Sequence, residues 1–248
     1  MTLRNIVRFL SLVSIASTAS AFASRPSNTK SSSSTELGAT SPPSQERKPW
    51  DVLRFARQSS RFISLFPSRN KGVQVVQPGD TLWKPSQENG FTFAPLDDVV
   101  MGGASSSGFN DATGKCTGQV TDANNGGFVG IRSTPNLQLD MTNCKGLELK
   151  LRSTKQKRLK VVVRDNTEFN GITWATSVNL KNGSAVRVPF DKQVPTIFAK
   201  TVDDSKPFRK DQVTAVQLTY SKFEYDGKLN PKFESGDVSL QIEEIKAY

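Results

Sequence analysis

The sequence predicts an all-β fold, an antiparallel β-sandwich or jelly roll, and three observations carry that expectation. From Phe91 onward, runs rich in Val, Ile, Leu, Phe, Thr and Tyr are broken at short intervals by Gly, Asn, Asp and Pro, which is the punctuation of short strands joined by turns. Within one run Leu147, Leu149 and Leu151 alternate with Glu148, Lys150 and Arg152, the period of a strand with one buried and one wet face. No long amphipathic helical window lies among these runs.

Taken in order, the predicted strands are CTGQVTD from Cys116, GGFVGIRS from Gly126, GLELKLRS from Gly146 and RLKVVVRD from Arg158. They continue as ITWATSVNL from Ile172, SAVRVPF from Ser184, VTAVQLTYS from Val213 and VSLQIEEIKAY from Val238. The uninterrupted Val161–Val163 marks a central strand buried on both faces. Pro189 and Pro195 suit strand ends or sheet edges, where a missing N–H breaks no ladder.

With 248 residues and 35% hydrophobic content the chain can bury one good-sized core. Its net charge of +10 is unevenly spread: residues 1–70 carry ten Lys or Arg against three acids, the rest twenty-three against twenty. A basic front end on a nearly balanced body is not a nucleic-acid footprint, and no nucleic-acid partner is expected. The chain has no histidine, which removes Ser-His-Asp and Cys-His nucleophiles and the common zinc sites. No dinucleotide, P-loop or HExxH motif occurs. Cys116 and Cys144 lie in no metal-ligand spacing and are read as free, buried thiols. Neither a catalytic residue, a metal nor a cofactor is expected.

The front end reads as an address. Arg4 and Arg8 precede an apolar run from Phe9 to Phe22 and small residues, the pattern of a signal peptide over residues 1–21. Ala19-Ser20-Ala21-Phe22 resembles the ASAF motif of proteins sent to plastids acquired by secondary endosymbiosis, and the Ser/Thr/Pro-rich residues 22–45 fit a transit peptide or a disordered linker. The expected location is the plastid, with the mitochondrion as alternative. Residues 46–70 follow as a basic helical segment. Between Lys48 and Phe66, Trp50, Leu53 and Ala56 fall on one helical face, while Arg54, Arg57 and Arg61 recur at spacings of three and four. Such a helix suits peripheral contact with an anionic membrane, or packs its Trp and Leu on the following domain, residues 71–248.

The stretch DDVVMGGAS, Asp97 to Ser105, resembles the D-x-V-M-G-G-x-S signature of the CIA30 family, named for the complex I intermediate-associated protein, with one extra valine. The resemblance continues through Asn125-Gly126-Gly127-Phe128, Arg132-Ser133 and Val188-Pro189-Phe190 to the last strand. It implies a galactose-binding-like jelly roll and a non-enzymatic role. Mitochondrial members help assemble respiratory complex I, and plastid members accompany biogenesis of photosynthetic complexes. The implied partners are protein subunits or assembly intermediates of a membrane complex. The aromatic that often precedes the family's PF and the glycine that often follows it are absent; Ser184–Arg187 and Phe198–Lys200 stand there.

The motif residues Asp97, Asp98, Met101, Gly102, Gly103, Ser105, Asn125, Gly126, Gly127, Phe128, Arg132, Pro189 and Phe190 are read as structural. Gly102 and Gly103 are expected to supply positive φ in a tight turn. Consecutive aspartates on a strand point to opposite faces, so a glycosidase pair would need a second acid such as Glu168 or Glu224. One aspartate is expected to cap the turn through backbone N–H groups or to pair with Arg132; a bound calcium is a weaker reading. A glycan-binding module, the alternative function, needs exposed aromatic platforms. Trp174, Tyr220, Phe223 and Tyr225 are the candidates for such a surface or for a protein-contact patch, Trp50 and Trp83 being placed before the core.

Overall fold

A computed structural model describes residues 49–62, 72–168, 170–181, 183–203 and 207–248; the signal and transit-peptide readings lie outside them. One helix, α1 (Val52–Ser60), precedes fifteen strands among the described residues. In chain order these are β1 (Gln74–Val75), β2 (Thr81–Trp83), β3 (Thr92–Pro95), β4 (Ser106–Asn110) and β5 (Lys115–Val120). Next come β6 (Phe128–Thr134), β7 (Leu139–Asp140), β8 (Gly146–Arg152), β9 (Arg158–Arg164) and β10 (Thr173–Asn179). The remainder are β11 (Ala185–Pro189), β12 (Val194–Ile197), β13 (Lys200–Thr201), β14 (Ala215–Ser221) and β15 (Gly236–Ala247).

A seven-stranded sheet in the order β13-β12-β10-β9-β14-β6-β3 packs on a sheet ordered β11-β8-β15-β5-β4, with β2 added to β15. Pairing within both is antiparallel. The fold is the predicted antiparallel sandwich. β9 is the middle strand of its sheet, and Val161, Val162 and Val163 are all buried, as an unbroken apolar run requires. In β8 the three alternating leucines face the core, where Leu149 pairs with Ile245 and Leu151 with Ile242. Pro189 ends β11, an edge strand.

The eight strands expected from the sequence are β5, β6, β8, β9, β10, β11, β14 and β15. Trp83 differs from expectation. It does not precede the core but sits fully buried in it on β2, with the Phe93 ring 5.6 Å and the Phe109 ring 5.7 Å away. A three-residue strand is too short to show a period, which hid this one.

α1 also differs. Leu53 is 84% exposed, Ala56 is exposed and Trp50 stands at the edge of exposure, while Phe55, Gln58, Ser59 and Phe62 are buried. The buried set has the i, i+3, i+4, i+7 spacing of a single helical face. Asp51 caps the helix, accepting from Arg54 N at 2.9 Å. Phe62 packs with Ala94 and Leu96 in a small second core, and Trp50 Nε1 donates to the Val99 carbonyl at 3.0 Å.

Both cysteines are free and buried. Burial, reinforced by Asp97, pushes Cys116 up to about 12. The thiolate is the reactive form, so neither cysteine should be alkylated by iodoacetamide in the native protein even at a pH where free thiols ionise. Mass spectrometry with and without denaturant checks this; native labelling of Cys116 would contradict the packing.

Candidate functional site

The family-like residues meet at one junction. After β3 the chain enters a single 3-10 turn, Asp98–Met101, which closes on Gly102 in the left-handed region at φ 89°. The turn lifts both aspartates out of a strand, so they are not held to opposite faces, and each becomes a hub. Asp98 Oδ1 accepts from Ser105 N at 2.8 Å; its Oδ2 accepts from Ser105 Oγ at 2.6 Å, Gly127 N at 2.7 Å and Phe128 N at 3.2 Å. One carboxylate thereby ties the first glycine motif to the second. Charge-assisted bonds from backbone N–H groups are what make a buried carboxylate tolerable.

Asp97 faces the other way. Its Oδ2 accepts from Arg54 Nη2 and Gln58 Nε2, both at 2.8 Å, and from Ser107 N at 2.9 Å; its Oδ1 accepts from Ser107 Oγ at 2.5 Å. Gln58 Oε1 in turn accepts from Asp97 N at 3.0 Å. The expected cap is Asp98. The expected partner of an aspartate, Arg132, is replaced by Arg54, because α1 lies across the turn. No group of three or more His, Cys, Asp or Glu among the described residues is placed to hold a metal ion. Glu224 is engaged by Arg158 and Ser177.

Gly102 has the expected positive φ, but Gly103 does not. A Cβ on Gly103 would instead collide with the Asp98 carboxylate, as would one on Gly126. These glycines are required by close approach of a side chain. Asn125, at φ 57°, and Gly127, at φ 127°, take the left-handed backbone of the second turn. Met101 is exposed, Phe128 half-buried, and Phe190 buried against the Phe208 ring at 5.1 Å.

The aromatic candidates separate. Trp174 is buried, donating from Nε1 to Asp165 Oδ2 at 3.1 Å. Tyr220 is buried and stacked on Phe233 at 5.3 Å, its hydroxyl accepting from Glu234 N at 2.7 Å. Neither offers a free ring face. Phe223 is 38% exposed, and Tyr225 is half-buried with Lys160 Nζ 5.0 Å from its ring centre.

Phe223 belongs to a hairpin-like loop in which it bridges to Leu229, and that loop meets the β12–β13 turn: Asp226 N donates to the Ala199 carbonyl at 3.0 Å, and Asp226 Oδ1 accepts from Thr201 N at 2.8 Å. Phe198 and Ala199, at φ 48° and 60°, form that turn. A bulky residue in the left-handed region is strained, and Phe198 is spent on the surface, exposed like Phe223 and Leu229. Sequence reasoning nominated Phe223 and missed Phe198 and Leu229, since a turn aromatic has no periodic signal. Lysines 160, 200, 222 and 228 lie on or beside these loops, with Lys222 Nζ 5.8 Å from the Phe223 ring centre. Exposed aromatics among cations can serve a protein contact whose partner is acidic.

The junction predicts an order of damage. Asp98→Ala strands the backbone N–H groups of Ser105, Gly127 and Phe128, each costing about 1–3 kcal/mol when buried and unmet, so a loss of about 3 kcal/mol or more is expected. Gly103→Ala, which displaces the carboxylate, should cost more than Gly102→Ala, where strained φ alone costs about 1 kcal/mol. Urea unfolding of the three variants measures the order, and a Gly103→Ala milder than Gly102→Ala would refute the close-approach account.

Comparison with known proteins gives one family. The model of Complex I intermediate-associated protein 30 (CIA30) matches residues 83–242. No curated protein matches the sequence. Among solved structures, the family 11 carbohydrate-binding module of the cellulosomal cellulase Lic26A-Cel5E of Clostridium thermocellum is 12% identical. That similarity covers 70% of this chain and 96% of that one, with a TM-score of 0.46. A family 11 module from Clostridium thermocellum in complex with a beta-1,3-1,4-mixed-linked tetrasaccharide is 15% identical over 63% of this chain and 95% of that one, TM-score 0.35. The agarase AgWH50C is 9% identical over 69% of this chain and 25% of that one, TM-score 0.41. The family match spans well over half of the sequence and contains both glycine motifs, and the chain therefore belongs to the CIA30 family.

Proposed function

We propose that the protein is a non-enzymatic assembly factor for a membrane electron-transfer complex, either of the complex I type or photosynthetic, acting by holding subunits or intermediates through protein contacts. The family match over residues 83–242 carries this reading. Two features support it. The motif carboxylates are saturated by protein donors within the fold, which suits scaffolding more than turnover. The strained and joined loops display Phe198, Phe223 and Leu229 to solvent, a composition that fits a contact surface. The burial of Trp174 and Tyr220 weakens the glycan-binding alternative, which needs such rings as platforms.

Peripheral membrane contact is part of the proposal. The outward side of α1 carries exposed Val52, Leu53 and Ala56 beside Arg57, an apolar strip next to positive charge as interfacial helices have. The site of action proposed is the plastid, from the Ala19–Phe22 motif and the composition that follows it.

Affinity capture of the tagged protein from organelles should recover subunits or assembly intermediates of such a complex, and recovery of none would remove the reading. Phe198→Asp should reduce that recovery several-fold without lowering the melting temperature, because the side chain is exposed and aspartate tolerates the left-handed backbone there. A fluorescent fusion with Phe22→Ala should lose its plastid signal; an unchanged signal would remove the address argument.

A further inference from the structure

The face of the seven-stranded sheet turned away from the core holds an unfilled arginine. One row across it runs Val194, Ala175, Val162, Gln217, Arg132 and Ala94 on β12, β10, β9, β14, β6 and β3, each opposite the next in register. Arg132 is only 1% exposed, yet its Nε and Nη2 have no hydrogen-bond partner among the described residues. Those two nitrogens form one edge of the guanidinium, the fork that meets a carboxylate or phosphate with two parallel bonds. The Phe62 ring covers the flat side of the group, 5.1 Å from Cζ to its centre, a contact that uses none of its N–H groups.

A filled example stands on the same face. Arg158 uses the same edge, Nε to Glu224 Oε1 at 2.7 Å and Nη2 to Oε2 at 3.4 Å. Among the described residues no acid does this for Arg132. Asp97 and Asp98 are consumed by α1 and the glycine motifs. The charge that acts on Arg132 has its own sign: burial first, then Arg164, lowers it to about 9.

Arg164 is the second half of the feature. It lies on β9 opposite Ala215, two residues along from the Gln217 that faces Arg132, so the two arginines' backbones stand two inter-strand spacings across and two residues along from one another, about 12 Å. It is 3% exposed, and its Nε also lacks a partner, although Nη2 donates to Asn166 Oδ1 at 3.2 Å and to the Glu168 carbonyl. Three unmet donors on two like charges, out of water, is an arrangement proteins avoid unless something negative fills it.

We propose that Arg132 and Arg164 form an oxyanion site on this face, taking a small molecule that carries a phosphate or carboxylate group, with two of its oxygens on the Nε and Nη2 of Arg132. The near-complete enclosure of both side chains favours a small ligand over a protein surface. The site does not depend on the assembly role.

The test is calorimetric titration and thermal unfolding of the full chain with inorganic phosphate and, separately, with citrate, at an ionic strength fixed by sodium chloride. Saturable binding and a raised melting temperature are expected with at least one probe; which one responds tells phosphoryl from carboxyl chemistry. Arg132→Met should abolish the response and, without anion, melt no lower than the wild type, since an unpaired buried charge has gone. Arg164→Gln should bind about tenfold more weakly, the size of one lost charge-assisted hydrogen bond. Arg132→Lys, which keeps the charge and loses the fork, serves if the Met variant does not fold, and should also bind more weakly. General stabilisation by excluded anions would shift all variants alike. An equal response in wild type and variants, or no saturable response to either probe, overturns the proposal.

Discussion

The Asp98 carboxylate sits at the crossing of the two sheets' connections, and its four donors come from residues as far apart in sequence as Ser105 and Phe128. A buried carboxylate demands such partners, so the turn after β3, the start of β4 and the entry to β6 must all be in place together. The glycines around it are shaped by the same demand. Gly103 and Gly126 lack side chains because the carboxylate occupies that space, and Gly102 bends the chain back toward it. Asp97, one residue earlier, extends the arrangement outward and fastens α1, an element that lies outside the family match.

Strands with a buried face and five or more residues were legible, and the unbroken valines of β9 announced their central place; β4, as long as β11 but without a buried residue, was not. Short strands such as β1, β2, β7 and β13 were not, because two or three residues carry no period. The pattern of α1 was present as Phe55, Gln58, Ser59 and Phe62, but polarity hid it. Gln58 and Ser59 are buried for hydrogen bonding and not for hydrophobicity, and only the position of Asp97 reveals that. The same blindness affects aromatics. Trp174 and Tyr220 looked available on alternating strands, yet Asp165 and Glu234 satisfy their polar ends inside the protein. The left-handed backbone at Phe198 and Ala199 was not legible, because neither residue type marks such a turn.

The two sheets are used differently. The β8–β15 pair turns core leucines and isoleucines inward and charged pairs such as Lys150 with Glu243 outward, as a half-wet sheet does. The seven-stranded sheet is buried on its second face as well, at Val162, Ala175, Ala215 and Arg132. Burial of arginine there with its fork unmet contrasts with the saturated carboxylates a few residues away. The protein closes the Asp97 and Asp98 carboxylates within the fold and leaves Nε and Nη2 of Arg132 without a partner among the described residues.

The longest strand, β15, occupies the middle of its sheet, holding β8 on one side and β5 on the other and carrying β2 near its end. It also follows the other fourteen described strands in chain order. Until residues 236–247 are present, β8 and β5 are separated by a gap, and Leu149, Leu151 and Trp83 lack Ile242 and Ile245 to pack against. The sandwich therefore cannot close progressively as it emerges; closure waits for the final strand to be inserted between partners already present. Any machine that meets this chain in sequence, a ribosome or a membrane pore, handles an open sheet with its apolar face uncovered until residues 236–247 arrive.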